Sequence, residues 1–217
     1  MKIYDDIIQG SDAWFDLRLG KVTASNFHTA VASGRGGAAS KTRKDYMKAL
    51  VYERIHGIPF PGKFQGNSAT QHGNETEEEA RREFGRRVGE EIKQVGFIEY
   101  NDDIGFSPDG LIGDDATVEI KCPELLTYMD YIEAGHIDFG SLAKAYRDQV
   151  QGGLLVTGRK YCYFVLYDDR YPSKPCIPAI FDRDEGYIKE LHIKLVIFVN
   201  EMKDLCEKYE KLTRCPF

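Results

Sequence analysis

Ser107-Pro108-Asp109-Gly110-Leu111, followed by Val118-Glu119-Ile120-Lys121-Cys122-Pro123, is the stretch that decides the reading. Val118 and Ile120 alternate with Glu119 and Lys121, the period of a strand, so the two charged residues project to one face. Gly113-Asp114-Asp115-Ala116 between the halves is a turn signal, and a β-hairpin is predicted. A three-residue loop would pair Asp109 with Lys121 and Leu111 with Glu119, placing all three charges on one face. A two-residue loop would send Asp109 to the opposite face. The odd loop is the expectation, because one carboxylate alone has no evident task here.

Two carboxylates on one face repel each other and need a cation. Lys121 supplies one positive charge. A hard divalent ion with oxygen ligands would supply the rest, and Mg²⁺ suits one or two carboxylates plus a substrate phosphate. Such an ion acidifies a bound water and stabilises charge on a phosphoryl group, while Lys121 orients or deprotonates that water. The chemistry implied is phosphodiester hydrolysis. A bare D-x9-E-x-K pattern is short and would ordinarily be a hairpin with surface charges and one salt bridge. Its framing by Pro-Asp-Gly and Cys-Pro, with further candidate residues elsewhere, tips the balance.

The chain has 217 residues, 29% charged and 42% hydrophobic, which fits one ordinary soluble domain spanning 1–217. No apolar run reaches the length of a membrane span, and Met1-Lys2-Ile3-Tyr4-Asp5-Asp6 is not a signal peptide, so a cytoplasmic protein without membrane association is expected. The net charge of −6 argues mildly against a nucleic-acid binder. The average hides basic clusters at Lys41-Thr42-Arg43-Lys44, Arg81-Arg82 and Arg86-Arg87, which suggests positive charge confined to a channel. The five cysteines are odd in number and lack a C-x2-C pair, so neither a disulfide framework nor zinc is expected.

Along the chain, Ser11 can cap a short helix through Trp14 and Leu17, ended by Gly20, and Thr23 or Ser25 can cap a second carrying Phe27, Ala30 and Val31. Arg18 and Ser25 flank that helix entry, where free N–H groups favour an anion. The residues alone favour a capping serine and a surface arginine. Ser33 to Ser40 is a glycine-rich loop holding Arg35, which could close on a DNA backbone or simply connect two elements. Helices are predicted over Thr42 to His56, Ser68 to Val88, Leu125 to Ala134, Ser141 to Leu155 and Asp184 to Leu212. Strands are predicted over Ile92 to Tyr100, Ile104 to Phe106, Lys160 to Tyr167 and Cys176 to Phe181. Tyr146 and Gln149 share a face of the Ser141–Leu155 helix, where Tyr146 suits packing on a sheet better than Gln149 does.

Ser-Pro-Asp-Gly followed by Glu-Ile-Lys-Cys-Pro resembles the metal site of the PD-(D/E)XK nucleases. Within that superfamily the chain is most similar to the phage lambda exonuclease group, the YqaJ-like viral recombinases. The likeness extends through Gln9-Gly10-Ser11-Asp12-Ala13-Trp14, Leu17-Arg18-Leu19-Gly20, Thr23-Ala24-Ser25, Gly73 through Arg81, Ala145-Tyr146 and Gln149-Val150-Gln151, in the family's order. It implies an α/β fold of restriction-endonuclease type, a mixed central sheet flanked by helices. It implies an Mg²⁺-dependent exonuclease, with Mn²⁺ a possible substitute, acting on linear double-stranded DNA from a 5′-phosphorylated end for phage recombination.

By the same resemblance, Asp109, Glu119 and the Ile120 carbonyl would bind metal and Lys121 would activate water. A helical glutamate, Glu77 with Glu78 as the alternative, and Gln149 with Gln151 as the weaker alternative, would support the metal or water. Arg18 and Ser25 would hold the 5′-phosphate, while Arg35 and Tyr146 would lie toward the DNA. A homotrimeric ring, a single-strand annealing protein as partner and a bacterial host cell carrying a phage or prophage are also implied. Iron–sulfur branches of the superfamily carry one early cysteine and three late ones; nothing precedes Cys122 here, so no cluster is expected. A restriction-like or structure-specific endonuclease on the same core, or a non-catalytic DNA-end-binding module, are the alternatives.

Overall fold

The computed structural model describes residues 1–62 and 68–214; Cys215 and the side chains of Arg35 and Glu75 lie outside the described residues. The elements run β1 (Lys2–Tyr4), α1 (Asp12–Arg18), β2 (Val22–Thr23), α2 (Phe27–Ala30), α3 (Lys41–His56), α4 (Ser68–Val88), β3 (Phe97–Glu99), β4 (Ile104–Phe106), β5 (Gly110–Ile112), β6 (Ala116–Lys121), α5 (Leu125–Ala134), α6 (Lys144–Thr157), β7 (Tyr161–Tyr167), β8 (Cys176–Asp182) and α7 (Glu185–Arg214). Among the described residues the strands form two mixed four-stranded sheets rather than one, ordered β1-β3-β4-β2 and β5-β6-β7-β8. A bridge between Lys93 and Leu111 links the segment before β3 to β5. The α/β class with flanking helices is as expected.

The hairpin of β5 and β6 has the expected three-residue loop, but its register differs by two. Gly110 faces Val118, Leu111 faces Thr117 and Ile112 faces Ala116, leaving Gly113, Asp114 and Asp115 in the turn. Continuing that ladder sets Asp109 opposite Glu119, not Lys121. A shift of two keeps every side chain on its face, so the three charges still converge. The sequence could not separate the two odd loops because Gly113 to Ala116 are all compatible with a turn. Gly113 takes the left-handed conformation with φ +48°.

Parallel pairing of β6 with β7 sets Glu119 beside Phe164 and Lys121 beside Leu166. The connection between them runs through α5 and α6, the long crossover that a parallel pair requires. Val118 and Ile120 pack with Ala80 and Phe84 of α4, whereas Phe164 and Leu166 pack with Val150 and Leu154 of α6. Alternation along β6 therefore turns Glu119 away from the α4 cluster and toward α6. α6 approaches closely because it carries Gly152 and Gly153. A Cβ at Gly152 would lie 2.3 Å from the Phe27 ring, and one at Gly153 2.7 Å from Phe106. α7 closes the other side, burying Leu195, Phe198 and Met202 against Met47 and Leu50 of α3.

Other local expectations fared unevenly. Ser11 and Ser40 cap α1 and α3 by accepting from the Trp14 and Arg43 amides, and Gly57 ends α3 with φ +66°. The second short helix is a 3-10 turn at Ala24–Asn26 leading into four-residue α2, and Thr23 makes no side-chain cap there. The strand expected over Ile92 to Tyr100 shortens to Phe97–Glu99. Gly96 packs so closely on the Ile7 carbonyl that a Cβ would sit 2.2 Å from it, and its amide bonds Tyr4 O at the sheet edge. Among the described residues, no helix is long and apolar enough to cross a membrane.

Candidate active site

Asp109 ends the loop that enters β5, and its Oδ2 accepts the Ile120 amide at 2.6 Å. That bond pins the carboxylate beside β6. Glu119 is buried, and its Oε1 accepts from both Lys121 Nζ and Gln149 Nε2. Its other oxygen, Oε2, is buried with no hydrogen-bond partner among the described residues. A buried unpaired carboxylate oxygen is costly, so the position needs a proton or a cation.

The electrostatics agree. Burial pushes the Glu119 carboxyl up to about 8, helped by the Asp109 charge and opposed by Lys121. Burial also raises Asp109, against the pull of Lys121 and of the Ile120 amide. Glu77 rises to about 7 through burial and then Asp109, against Arg81 and Lys121. Burial alone would lower the Lys121 ammonium, but Glu119 and Asp109 outweigh it and raise its pKa. All three carboxyls are thus shifted toward their neutral forms, the direction that a nearby cation reverses.

A divalent cation fits these donors. Among the described residues Glu119 Oε2 is unspent, and Asp109 engages one oxygen in a hydrogen bond. Among the described residues no three His, Cys, Asp or Glu side chains close a ready cage. An ion held here would need backbone, water or substrate oxygens to complete its shell.

The structure separates the alternatives left open by the sequence. Glu77 lies within the electrostatic reach of Asp109 and Glu119, while the Glu78 side chain is 73% exposed beside Arg82. Gln149 meets Glu119, while buried Gln151 bonds Asp182 O and the Asp184 amide, a purely architectural role. The Tyr146 ring lies 5.8 Å from Lys121 Nζ and also packs against Phe164. Ile120 contributes its amide to Asp109.

A second group lies behind the hairpin. Arg18 Nη1 donates to Ser107 Oγ at 2.8 Å, and its guanidinium stacks 4.0 Å from the Trp14 ring. Trp14 Nε1 donates to the same Ser107 hydroxyl at 2.9 Å. Gln9 Nε2 donates to Pro108 O at 2.8 Å and to Val95 O at 2.9 Å. Burial lowers the Arg18 guanidinium to about 10, still cationic at neutral pH, and it makes no ion pair among the described residues. A half-buried arginine with no ion pair among the described residues, beside a hydroxyl, suits an anion. Ser25 is exposed at the 3-10 turn and bonds Thr23 and Asn26 rather than Arg18. Arg35 falls outside the described side chains.

Sequence reasoning missed three supports. Gln9 and Ser107 had no signal beyond their place in the motif strings. Arg81 did have one: it follows Glu77 by four residues, so both lie on one helical face.

The YqaJ-like viral recombinase domain model matches residues 13–160. No curated protein matches the chain significantly. Among solved structures, the alkaline exonuclease LHK-Exo from Laribacter hongkongensis is 32% identical, with a TM-score of 0.81 over 94% of this chain and 98% of that one. LHK-Exo in complex with dAMP gives 0.82 at the same identity and coverage. A phage related exonuclease from Haemophilus somnus 129PT is 19% identical, with a TM-score of 0.66 over 87% of this chain and 96% of that one, a likeness of fold alone.

Proposed function

This chain belongs to the YqaJ-like viral recombinase family, and from that premise we propose that it is an Mg²⁺-dependent 5′-to-3′ exonuclease. It would digest one strand of linear double-stranded DNA from a 5′-phosphorylated end and leave a 3′ single strand for phage-type recombination. The observation that carries the reading is the buried, unpartnered Oε2 of Glu119 beside Asp109, with Lys121 and Gln149 both committed to Oε1. The alkaline exonuclease named above, at 32% identity over nearly the whole chain, supports the reaction class.

Asp109 and Glu119, with the Ile120 carbonyl, would hold the metal, and Glu77 would face it from α4. When bound, Mg²⁺, or Mn²⁺ in its place, supplies positive charge to the phosphoryl oxygens and a more acidic water. Lys121 holds its proton at Nζ, raised by the two carboxylates, and so orients the attacking water and offsets charge on the phosphate. Gln149 fixes the rotamer of Glu119 through Oε1 and leaves Oε2 for the ion. Arg18, backed by Trp14 and Ser107, would bind the terminal 5′-phosphate with Ser25, setting which phosphodiester lies over Glu119. Arg35 and Tyr146 would contact the DNA. A homotrimeric ring, a single-strand annealing partner and a cytoplasmic location in a bacterial host of phage or prophage belong to the same proposal, on the family resemblance.

The test uses duplex DNA labelled at either strand end, with and without a 5′-phosphate, beside a supercoiled circle. Wild type, Lys121→Ala and Arg18→Ala are compared with Mg²⁺ and with EDTA. Release of 5′-strand nucleotides from phosphorylated linear DNA, lost with EDTA and in Lys121→Ala, is the expected result. Cleavage of the circle would replace the exonuclease with an endonuclease on the same core. Bound ends without any cleavage would leave a non-catalytic end-binding module.

A further inference from the structure

Arg81 is 9% exposed, too enclosed to meet a DNA backbone, yet it touches both halves of the carboxylate site. Its Nε donates to the main-chain carbonyl of Asp109 at 2.8 Å. Its Nη2 pairs with Glu77 Oε1 at 2.6 Å, one helical turn away on α4. Glu77 and Asp109 come from a helix and a hairpin that share no hydrogen-bonded ladder, and the fork of one guanidinium spans the gap. A lysine carries the same charge but cannot bond a carbonyl and a carboxylate in fixed planar geometry.

The two bonds have different consequences. The Nε bond fixes the Asp109 backbone, while the Asp109 carboxylate is held separately by the Ile120 amide. The Nη2 bond holds Glu77 by Oε1, and the charge of that carboxylate is felt by Asp109 and Glu119. Lys121 does not replace Arg81, because its ammonium bonds Glu119 and has no planar fork to span a carbonyl and a carboxylate.

We propose that Arg81 is a positioning residue that locks Glu77 of α4 to Asp109 of the hairpin, so that both carboxylates present to a divalent cation as one unit. This rests on the metal-binding reading given above.

The test is Mn²⁺ binding by the full chain without DNA, followed by electron paramagnetic resonance, for wild type, Glu77→Gln, Arg81→Lys and the double variant. Arg81→Lys is expected to weaken Mn²⁺ about ten-fold or more while keeping its far-ultraviolet circular dichroism. Glu77→Gln is expected to weaken binding about ten-fold in the wild-type background and less than about two-fold in the Arg81→Lys background, the non-additivity of residues acting through one link. Equal Mn²⁺ affinity in wild type and Arg81→Lys, or an equal effect of Glu77→Gln in both backgrounds, overturns the proposal. A wild type that binds no Mn²⁺ instead overturns the metal-binding reading itself. Should Arg81→Lys not fold, the wild-type Arg81 Nε–H resonance decides. Protection from exchange and a shift in step with added Mg²⁺ support the lock; a signal indifferent to Mg²⁺ removes it.

Discussion

Gln149 on α6 donates its side-chain amide to Oε1 of Glu119 on β6, the same oxygen that Lys121 engages. The two donors saturate one side of the carboxylate and leave Oε2 unpaired in a buried place. Under the proposed function Gln149 would act on the site through Glu119. Gln149→Ala is expected to lower the rate of nucleotide release about 10- to 100-fold, the usual effect of losing a hydrogen-bond partner of a metal ligand. Gln149→Glu is expected to do more damage, because a carboxylate cannot donate to Glu119. Single-turnover release from 5′-phosphorylated duplex measures both, and a Gln149→Ala enzyme with the wild-type rate would reduce the residue to helix packing.

Arg18 presents a different dependence. Its guanidinium is held by the Ser107 hydroxyl and the Trp14 ring. Arg18→Lys keeps the charge and loses the planar stack and fork. If Arg18 binds the 5′-phosphate as proposed, losing a charge-assisted contact of about 1.5–3 kcal/mol is expected to raise KM roughly 10- to 100-fold for a 5′-phosphorylated end, with kcat little changed. The ratio of kcat/KM between phosphate and hydroxyl ends should then fall toward one. A preserved preference for the phosphate would move the anion site elsewhere.

What the sequence made legible was periodicity. Glu119 and Lys121 alternate with Val118 and Ile120, and that sufficed to put them on one face. The register of the hairpin was not legible, since the local turn residues admit either of two odd loops and only cross-sheet packing selects one. Glu77 could be aligned but not distinguished physically from Glu78, because both sit in one acidic run; the difference is which side of α4 meets Asp109. Arg81 and Gln9 reach main-chain carbonyls across the fold, and the Ser107 hydroxyl accepts from Arg18 and Trp14. Such long-range contacts leave no local pattern to read, and only the four-residue spacing of Arg81 from Glu77 was visible in the sequence.

Asp103, between β3 and β4, ties α3 to α7 away from the site. Arg54 of α3 pairs with its Oδ1 at 2.8 Å and Lys203 of α7 with its Oδ2 at 2.6 Å. Burial alone would raise the Asp103 carboxyl, but Lys203 and Arg54 outweigh it and hold it below the usual carboxylate range. A carboxyl depressed on folding stabilises the native state fully above its unfolded pKa of about 3.9 and loses that contribution as pH falls through the lower folded value. Asp103→Asn is expected to cost about 2 kcal/mol at pH 7. The gap between variant and wild type should close below about pH 4. Urea unfolding at pH 7, 5 and 3 checks it, and a pH-independent gap would assign the loss to packing instead.

Gly152 and Gly186 give opposite expectations for the same substitution. Gly152 faces Phe27 across the contact that seats α6, and an added Cβ would meet two ring carbons at 2.3 and 2.5 Å. Phe27 is fully buried, so moving its ring aside would disturb the surrounding core. Gly152→Ala should therefore cost about 1–3 kcal/mol as an overpacked core does. That is a fall in Tm of roughly 2–12 °C for a chain of this size. By tilting α6 it should also displace Gln149 and reduce activity in the surviving folded fraction. Gly186 lies in α7, where an added Cβ would meet only Asp184 Oδ1 at 3.4 Å. Its φ is not positive, so alanine there removes unfolded-state freedom without strain and should raise stability by up to about 1 kcal/mol. Thermal unfolding of the two variants separates close approach from mere helix propensity. A Gly152→Ala protein as stable as Gly186→Ala would mean that α6 is free to retreat from Phe27, and that its seat does not set the position of Gln149.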